Sequence, residues 1–245
     1  MGINRPVYAA SAAWRGFFVG GEMTTYESHI LGHREFVGGE WERVGRLMFE
    51  WMLREGLKPH HYFLDAGCGG LRCGVHFIPY LDVGHYWGLD KRQWLLDAGL
   101  ECELDAQARA EKQPRFIVNA GFDLGAVPAG VAFDYVLAAS LFTHLRQTEI
   151  QHCVEALLPR MASNGRLYAT YFRWAGKSEP QIIAGPYGEL YGPELDEDWF
   201  AGMVQCLGAE VEPVSQYGKP ELQEMLCVRK AGGEGGSGNR VGSGC

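Results

Sequence analysis

The sequence predicts an α/β fold: a doubly wound, mostly parallel seven-stranded sheet with helices on both faces. Three observations predict it. Short apolar runs recur along the chain, separated by helical or turn-rich stretches, which is the pattern of strands buried on both faces and joined by crossover helices. The run at 61–65 ends in Asp65 and passes at once into a glycine-rich turn, Gly67, Gly69 and Gly70, ahead of a helical stretch. The run YWGLD at 86–90 also ends in an acid. A strand, a tight turn and a helix start form the corner over which doubly wound sheets hold nucleotide-like ligands. Glycine permits both the sharp turn and the close approach of a ligand, and the first N–H groups of a helix have no intrahelical partner.

A chain of 245 residues suits one large domain, or one domain with trimmings. At this size folding buries roughly 70% of the surface exposed by the unfolded chain. The net charge is −8 at pH 7 and no dense basic stretch reads as a groove for nucleic acid, which makes nucleic acid an unlikely partner. No apolar run approaches the roughly 20 residues that cross a membrane, and the N-terminus does not read as a signal peptide. The seven Cys are scattered without a CxxC pair. That argues against a disulfide framework and against a zinc site, and no metal is expected. A reducing cytoplasm is the simplest setting. The oligomeric state is left open.

Residues 1–38 are rich in aromatic and small residues, including Trp14, Phe17, Phe18, Tyr26 and Phe36, and follow no clean period. They read as an N-terminal lid or cap: a segment packed over the body of the domain, or one that closes a substrate pocket. From 40 to 54, Trp41, Val44, Met48 and Trp51 line one stripe of a helix. Gly56 stops it, and Pro59 favours an extended exit toward the first strand. A second helix is expected over 71–81, ended near Ile78 by Pro79. The second strand at 86–90 is followed by a helix over 93–99 and a partly helical stretch at 100–113. The third strand is expected at 115–120, a loop at 121–130 and the fourth strand at 133–139. Thr148 is the expected cap of a helix over 149–161. Asn164 and Gly165 are expected to turn the chain into a fifth strand at 166–172. Residues 173–195 show no clear element, and loops of that length are usually functional or mobile. A helix at 196–208 and closing strands at 210–214 and 225–228 complete a domain spanning 39–230. The remaining 231–245 read as a flexible Gly-rich tail.

The glycine turn lacks the Gly-Lys-Ser/Thr of a nucleoside-triphosphate loop, and GCGG does not match GxGxxG. Asp65, just before the glycines, is badly placed against a pyrophosphate and suits an ammonium group or a ribose. Asp90, at the end of the adjacent strand, is placed to take both ribose hydroxyls at the crevice mouth. The plainer alternatives are that Asp65 caps the turn and Asp90 starts a helix. Cys68 and Cys73 share this corner as structural cysteines.

The chain resembles the class I S-adenosylmethionine-dependent methyltransferases over about residues 34–230. The resemblance rests on LDAGCGGLRCG at 64–74, YWGLD at 86–90, FDYVLAASLFTHL at 133–145 and LLPRMASNGRLYATYF at 157–172. More narrowly, it resembles a bacterial small-domain subgroup with a VGG-W, GCG-x-LR and FTHL pattern, through VGGEWERVGRLMFE at 37–50. The resemblance implies S-adenosyl-L-methionine as cofactor, with Asp65 or the backbone around Gly67 holding the methionine end. Gly67, Cys68 and Gly69 would lie under the cofactor, with Asp90 on the ribose and Lys91 near the adenosine. Phe122 and Asp123 would border the adenine, although Ala120 stands where close relatives carry an acid. Ala139 and Ser140 would face the methionine moiety. Arg72 has two readings, a partner for a substrate or cofactor carboxylate and a structural ion pair. His144 likewise reads as the base that takes the acceptor's proton or as a brace of its turn. Substrate contacts are expected from Tyr171, Arg173 and Trp174 after the fifth strand, from Tyr26, His29 and His33, and from Tyr187 and Tyr191. The implied activity is methyl transfer to an O or N atom of a small molecule. A methyltransferase of proteins, glycans or RNA and a non-catalytic cofactor-binding or scaffold protein are the alternatives.

Overall fold

In the computed structural model, residues 32–37, 40–173, 183–184, 190–191, 195–214 and 223–232 are described below. The chain begins there with a four-residue helix α1 (His33–Phe36) and the amphipathic α2 (Trp41–Arg54). Parallel strands and helices then alternate: β1 (Phe63–Ala66), α3 (Gly74–Tyr80), β2 (Tyr86–Asp90), α4 (Gln93–Cys102), α5 (Ala106–Lys112), β3 (Arg115–Val118) and β4 (Phe133–Ala138). A 3-10 turn (Phe142–His144), α6 (Gln147–Leu157) and a second 3-10 turn (Leu158–Arg160) lead into the long β5 (Met161–Tyr171). Two short strands follow, β6 (Ile183–Ala184) and β7 (Leu190–Tyr191), then α7 (Glu197–Cys206), β8 (Ala209–Val214) and β9 (Glu224–Lys230).

The seven-stranded sheet has the order β3-β2-β1-β4-β5-β9-β8. The first five strands run parallel, and β9 is antiparallel to both neighbours. The strand order reverses between β1 and β4, so their C-terminal ends open a crevice at the topological switch point. Alternate side chains divide between two cores, one on each face of the sheet. Leu64, Ala66, Val136 and Ala138 pack with Ile150, Val154 and Leu157 of α6 and Phe200 and Val204 of α7. Phe63, Tyr135 and Leu137 pack with Val44, Met48 and Met52 of α2 and Phe77 and Ile78 of α3. The continuous apolar strands are thus explained: both of their faces are covered.

Helix α4 approaches the glycine turn closely, since a Cβ on Gly99 would lie 2.4 Å from the Gly70 carbonyl oxygen. Helix α2 does the same from the other side, where a Cβ on Gly45 would lie 2.2 Å from the Arg72 carbonyl oxygen. Gly45 of the VGG-W preface is therefore a packing residue that holds α2 against the turn.

Several local expectations are corrected. The helix after the glycine turn starts at Gly74 rather than at 71, because Leu71 takes a left-handed backbone (φ 69°) and extends the turn. Thr148 does not cap α6. Arg146 occupies the cap position, and its backbone N–H donates to the Glu149 carboxylate at 2.8 Å. Asn164 and Gly165 do not end an element. They lie inside β5, where the register with β4 shifts: Phe133 pairs with Met161 but Tyr135 with Arg166. The turn-forming pair is absorbed as a bulge. Among the described residues, no helix is long and apolar enough to cross a membrane.

Candidate functional site

A cavity of about 640 Å³ opens where the C-terminal ends of β1, β2 and β4 meet. Its floor is the glycine turn. Gly67 (φ 76°) and Gly69 (φ 53°) hold left-handed backbone that a side chain would strain, and a Cβ on Gly67 would press within 3.1 Å of the Leu141 side chain. The N–H groups of Gly67 and Cys68 both donate to the Leu89 carbonyl, at 2.7 and 3.1 Å. Asp90 ties the end of β2 to the turn, its Oδ2 accepting the Gly69 N–H at 2.9 Å and its Oδ1 the Arg92 N–H at 2.8 Å. Each oxygen of an ionised carboxylate has a second lone pair to offer. The acid therefore orders the turn and still presents acceptors to the cavity that it lines.

Asp65 lies deeper, 2% exposed. The Tyr86 hydroxyl donates to its Oδ2 at 2.9 Å. Burial pushes its pKa up to about 7, against the Tyr86 hydrogen bond; the Asp90 charge raises it further and that of Arg72 lowers it. Burial, with the charges of Asp65 and Asp90, also raises the pKa of the Cys68 thiol. Cys68 therefore stays a thiol and packs, rather than acting as a thiolate.

The other walls come from the loops after β3 and β4, from α6 and from the end of α1. After β3, Asn119 organises its own loop: Oδ1 accepts the N–H groups of Gly121 and Asp123 (3.1 and 3.0 Å), and Nδ2 donates to the Asp123 carbonyl (2.9 Å). This arrangement presents Phe122, at φ 55°, to the cavity. After β4, Ser140 adopts φ 58°. Its N–H donates to Thr170 Oγ1 at 2.7 Å, and its carbonyl accepts the Thr143 hydroxyl at 2.7 Å. His144, exposed at the end of the 3-10 turn, lines the cavity from this side. Leu145, Thr148, Glu149 and His152 line it as well, and Phe36 and Val37 do so beside the glycine turn.

The structure gathers Asp65, Gly67, Cys68, Gly69, Arg72, Asp90, Lys91, Phe122, Ala139, Ser140 and His144 around one cavity. Asp123 is not on its wall; its Oδ1 accepts the Gly125 N–H at 2.7 Å. His33 is buried outside the lining, 2.6 Å from Glu103. The Tyr171 hydroxyl is bonded to Glu197, and Arg173 pairs with Glu197 at 3.1 Å and Glu224 at 3.7 Å, all away from the cavity. Tyr191 belongs to β7, but its side chain lies outside the described part of the protein, as do Tyr26, His29, Trp174 and Tyr187 altogether. The α6 wall had a readable signal. Thr148, Glu149 and His152 of α6 stand at the helical three-four spacing, on the face turned away from Ile150, Val154 and Leu157. Phe36 belongs to the aromatic 1–38 segment read as a lid or cap and Val37 opens the VGG-W stretch, but no period marked either as a wall residue.

No known family profile matches the chain. Solved structures do share its architecture. The chain is similar to an S-adenosylmethionine-dependent methyltransferase from Clostridium acetobutylicum at 12% identity, covering 84% of this chain and 98% of that one, with a TM-score of 0.60. It is similar to the CcbJ methyltransferase from Streptomyces caelestis at 15% identity, over 77% and 90% of the two chains, with a TM-score of 0.58. It is also similar to magnesium protoporphyrin IX methyltransferase from Synechocystis PCC 6803, solved with bound SAH, at 15% identity over 89% and 93%, with a TM-score of 0.54. At these identities the likeness is one of architecture: the chain has the Rossmann-like fold of the S-adenosylmethionine-dependent methyltransferases.

Proposed function

We propose that this protein is an enzyme that uses S-adenosyl-L-methionine to methylate an O or N atom of a small molecule. The observation that carries the reading is the meeting of the glycine turn and the Asp90 carboxylate at one cavity on the switch point of a methyltransferase fold. The residues fit the cofactor. Gly67 and Gly69 give the floor a left-handed turn that a side chain would strain, Asp90 has lone pairs for ribose hydroxyls, and Asp65 offers a carboxyl at the deep end for an ammonium group.

In this reading, Asp90 accepts hydrogen bonds from the ribose, and Phe122 and Lys91 border the adenine, with Ala120 leaving that edge without an acid. Gly67, Cys68 and Gly69 underlie the cofactor. Asp65 and the Gly67 backbone hold the methionine end, with Arg72, Ala139 and Ser140 around it. When bound, the cofactor supplies an electrophilic methyl group on a sulfonium. The protein's part is alignment and proton removal. His144 stands on the cavity wall and takes the acceptor's proton as its oxygen or nitrogen gains the methyl, while Thr143 braces the turn beneath it. The acceptor side of the cavity is formed by His144 and the α6 stripe rather than by His33, Tyr171 or Arg173, which are engaged elsewhere.

A turnover assay tests this reading. The purified protein is mixed with S-adenosylmethionine and panels of small hydroxyl and amine compounds, and demethylated cofactor is measured. Formation dependent on a small acceptor is expected. Turnover only with protein, glycan or RNA would replace the small-molecule reading.

A further inference from the structure

We infer that helix α1 forms the wall of the cofactor cavity over the glycine turn and that Glu103 is the positioning residue that holds it there. The inference rests on the cofactor reading above and adds to it a residue far from the glycine signature in sequence. A four-residue helix has no stability of its own, so the place of α1 is set by its contacts.

Those contacts divide along its length. At the start, His33 Nε2 lies 2.6 Å from Glu103 Oε1. Arg34 grips the same carboxylate with two donors, Nε to Oε1 and Nη2 to Oε2, each at 2.6 Å. The Glu103 side chain is 7% exposed and sits at the C-terminal end of α4. Burial disfavours its charge, but the hydrogen bonds from Arg34 and His33 prevail and hold its pKa below the ordinary value. A bidentate pair between Arg34 and a carboxylate with little exposure is directional and stronger than a neutral hydrogen bond.

At the other end, Phe36 packs edge-on against Trp94, centroids 4.8 Å apart, with the Arg92 guanidinium 5.1 Å from its ring centre. The Val37 carbonyl accepts from Arg72 Nη1 at 2.7 Å. The Val37 side chain stands 3.3 Å from where a Cβ on Gly69 would lie, directly over the turn. Phe36 and Val37 line the cavity, and His33 does not. The sequence HREFV is thus an anchor followed by a wall. Losing the Glu103 carboxylate would free the anchor and let the wall leave the glycine turn.

The test is the dissociation constant for S-adenosylhomocysteine in the full-length wild type, Glu103→Ala and Glu103→Gln, together with backbone hydrogen exchange. Glu103→Ala is expected to raise the constant at least tenfold and to speed exchange at 32–37 while the sheet stays protected. Glu103→Gln, which keeps an acceptor but loses the charge, is expected to fall between. Should Glu103→Ala fail to fold, Arg34→Met on the exposed side of the pair carries the same expectation. A folded variant that binds within twofold of wild type overturns the inference while leaving the cofactor reading intact. A wild type that binds no S-adenosylhomocysteine overturns both.

Discussion

Asp65→Asn removes a carboxyl that the fold keeps largely protonated up to neutral pH, and its effect on stability is calculable. The ordinary pKa of the group is 3.8, and burial lifts it to about 7 in the native protein. Between these values the native state holds a proton that the unfolded chain has released. Native stability therefore falls as pH rises, by about 1.4 kcal/mol per pH unit, and levels off above pH 7. From pH 5 to pH 8 the loss is on the order of 2–3 kcal/mol. Asn has the same shape, keeps an oxygen for the Tyr86 hydroxyl and does not titrate. Urea unfolding of both proteins at pH 5, 6, 7 and 8 isolates the effect, because the other titrating groups are common to both. The stability of the variant relative to wild type should rise by roughly 2–3 kcal/mol across that range and be nearly flat above it. A difference that does not change with pH would refute the reasoning: the carboxyl would then be charged in the fold throughout.

Three further outcomes are expected. Asp90→Ala removes acceptors for the ribose and for the Gly69 and Arg92 amides, and should weaken cofactor binding on the order of 10- to 100-fold with the fold retained by circular dichroism; an unchanged dissociation constant removes the ribose role. His144→Ala should lower kcat by roughly 10²- to 10⁴-fold and leave cofactor affinity within about twofold; unchanged turnover returns His144 to bracing its turn. Gly99→Ala places a methyl 2.4 Å from the Gly70 carbonyl oxygen and should destabilise the protein by about 1–3 kcal/mol in urea, with weaker cofactor binding; unaltered stability would mean that α4 does not clamp the turn.

The strands and the cavity floor were legible in the sequence because each has a local cause. YWGLD at 86–90 is a strand because both of its faces are covered, and Gly67 and Gly69 mark a turn that other residues would strain. What was not legible depended on tertiary contact. Leu71 is forced into a left-handed backbone by the turn it completes, so the helix starts later than its apolar pattern suggests. Asn164 and Gly165 have turn chemistry, yet pairing with β4 at Met161 before them and Arg166 after them draws the chain into a bulged strand. Tyr171 and Arg173 looked like pocket residues at the end of a strand, but Glu197 at the start of α7 engages both. The α1 wall is too short to show a period, and its anchor on Glu103 lies far along the chain.

Equilibrium dialysis of radiolabelled S-adenosylmethionine against the purified protein tests the central claim most directly. The account predicts saturable retention of one equivalent per chain, displaced by S-adenosylhomocysteine and weakened by Asp90→Ala. No retained label at cofactor concentrations up to about 1 mM, the upper end of usual enzyme–substrate affinities, would contradict it.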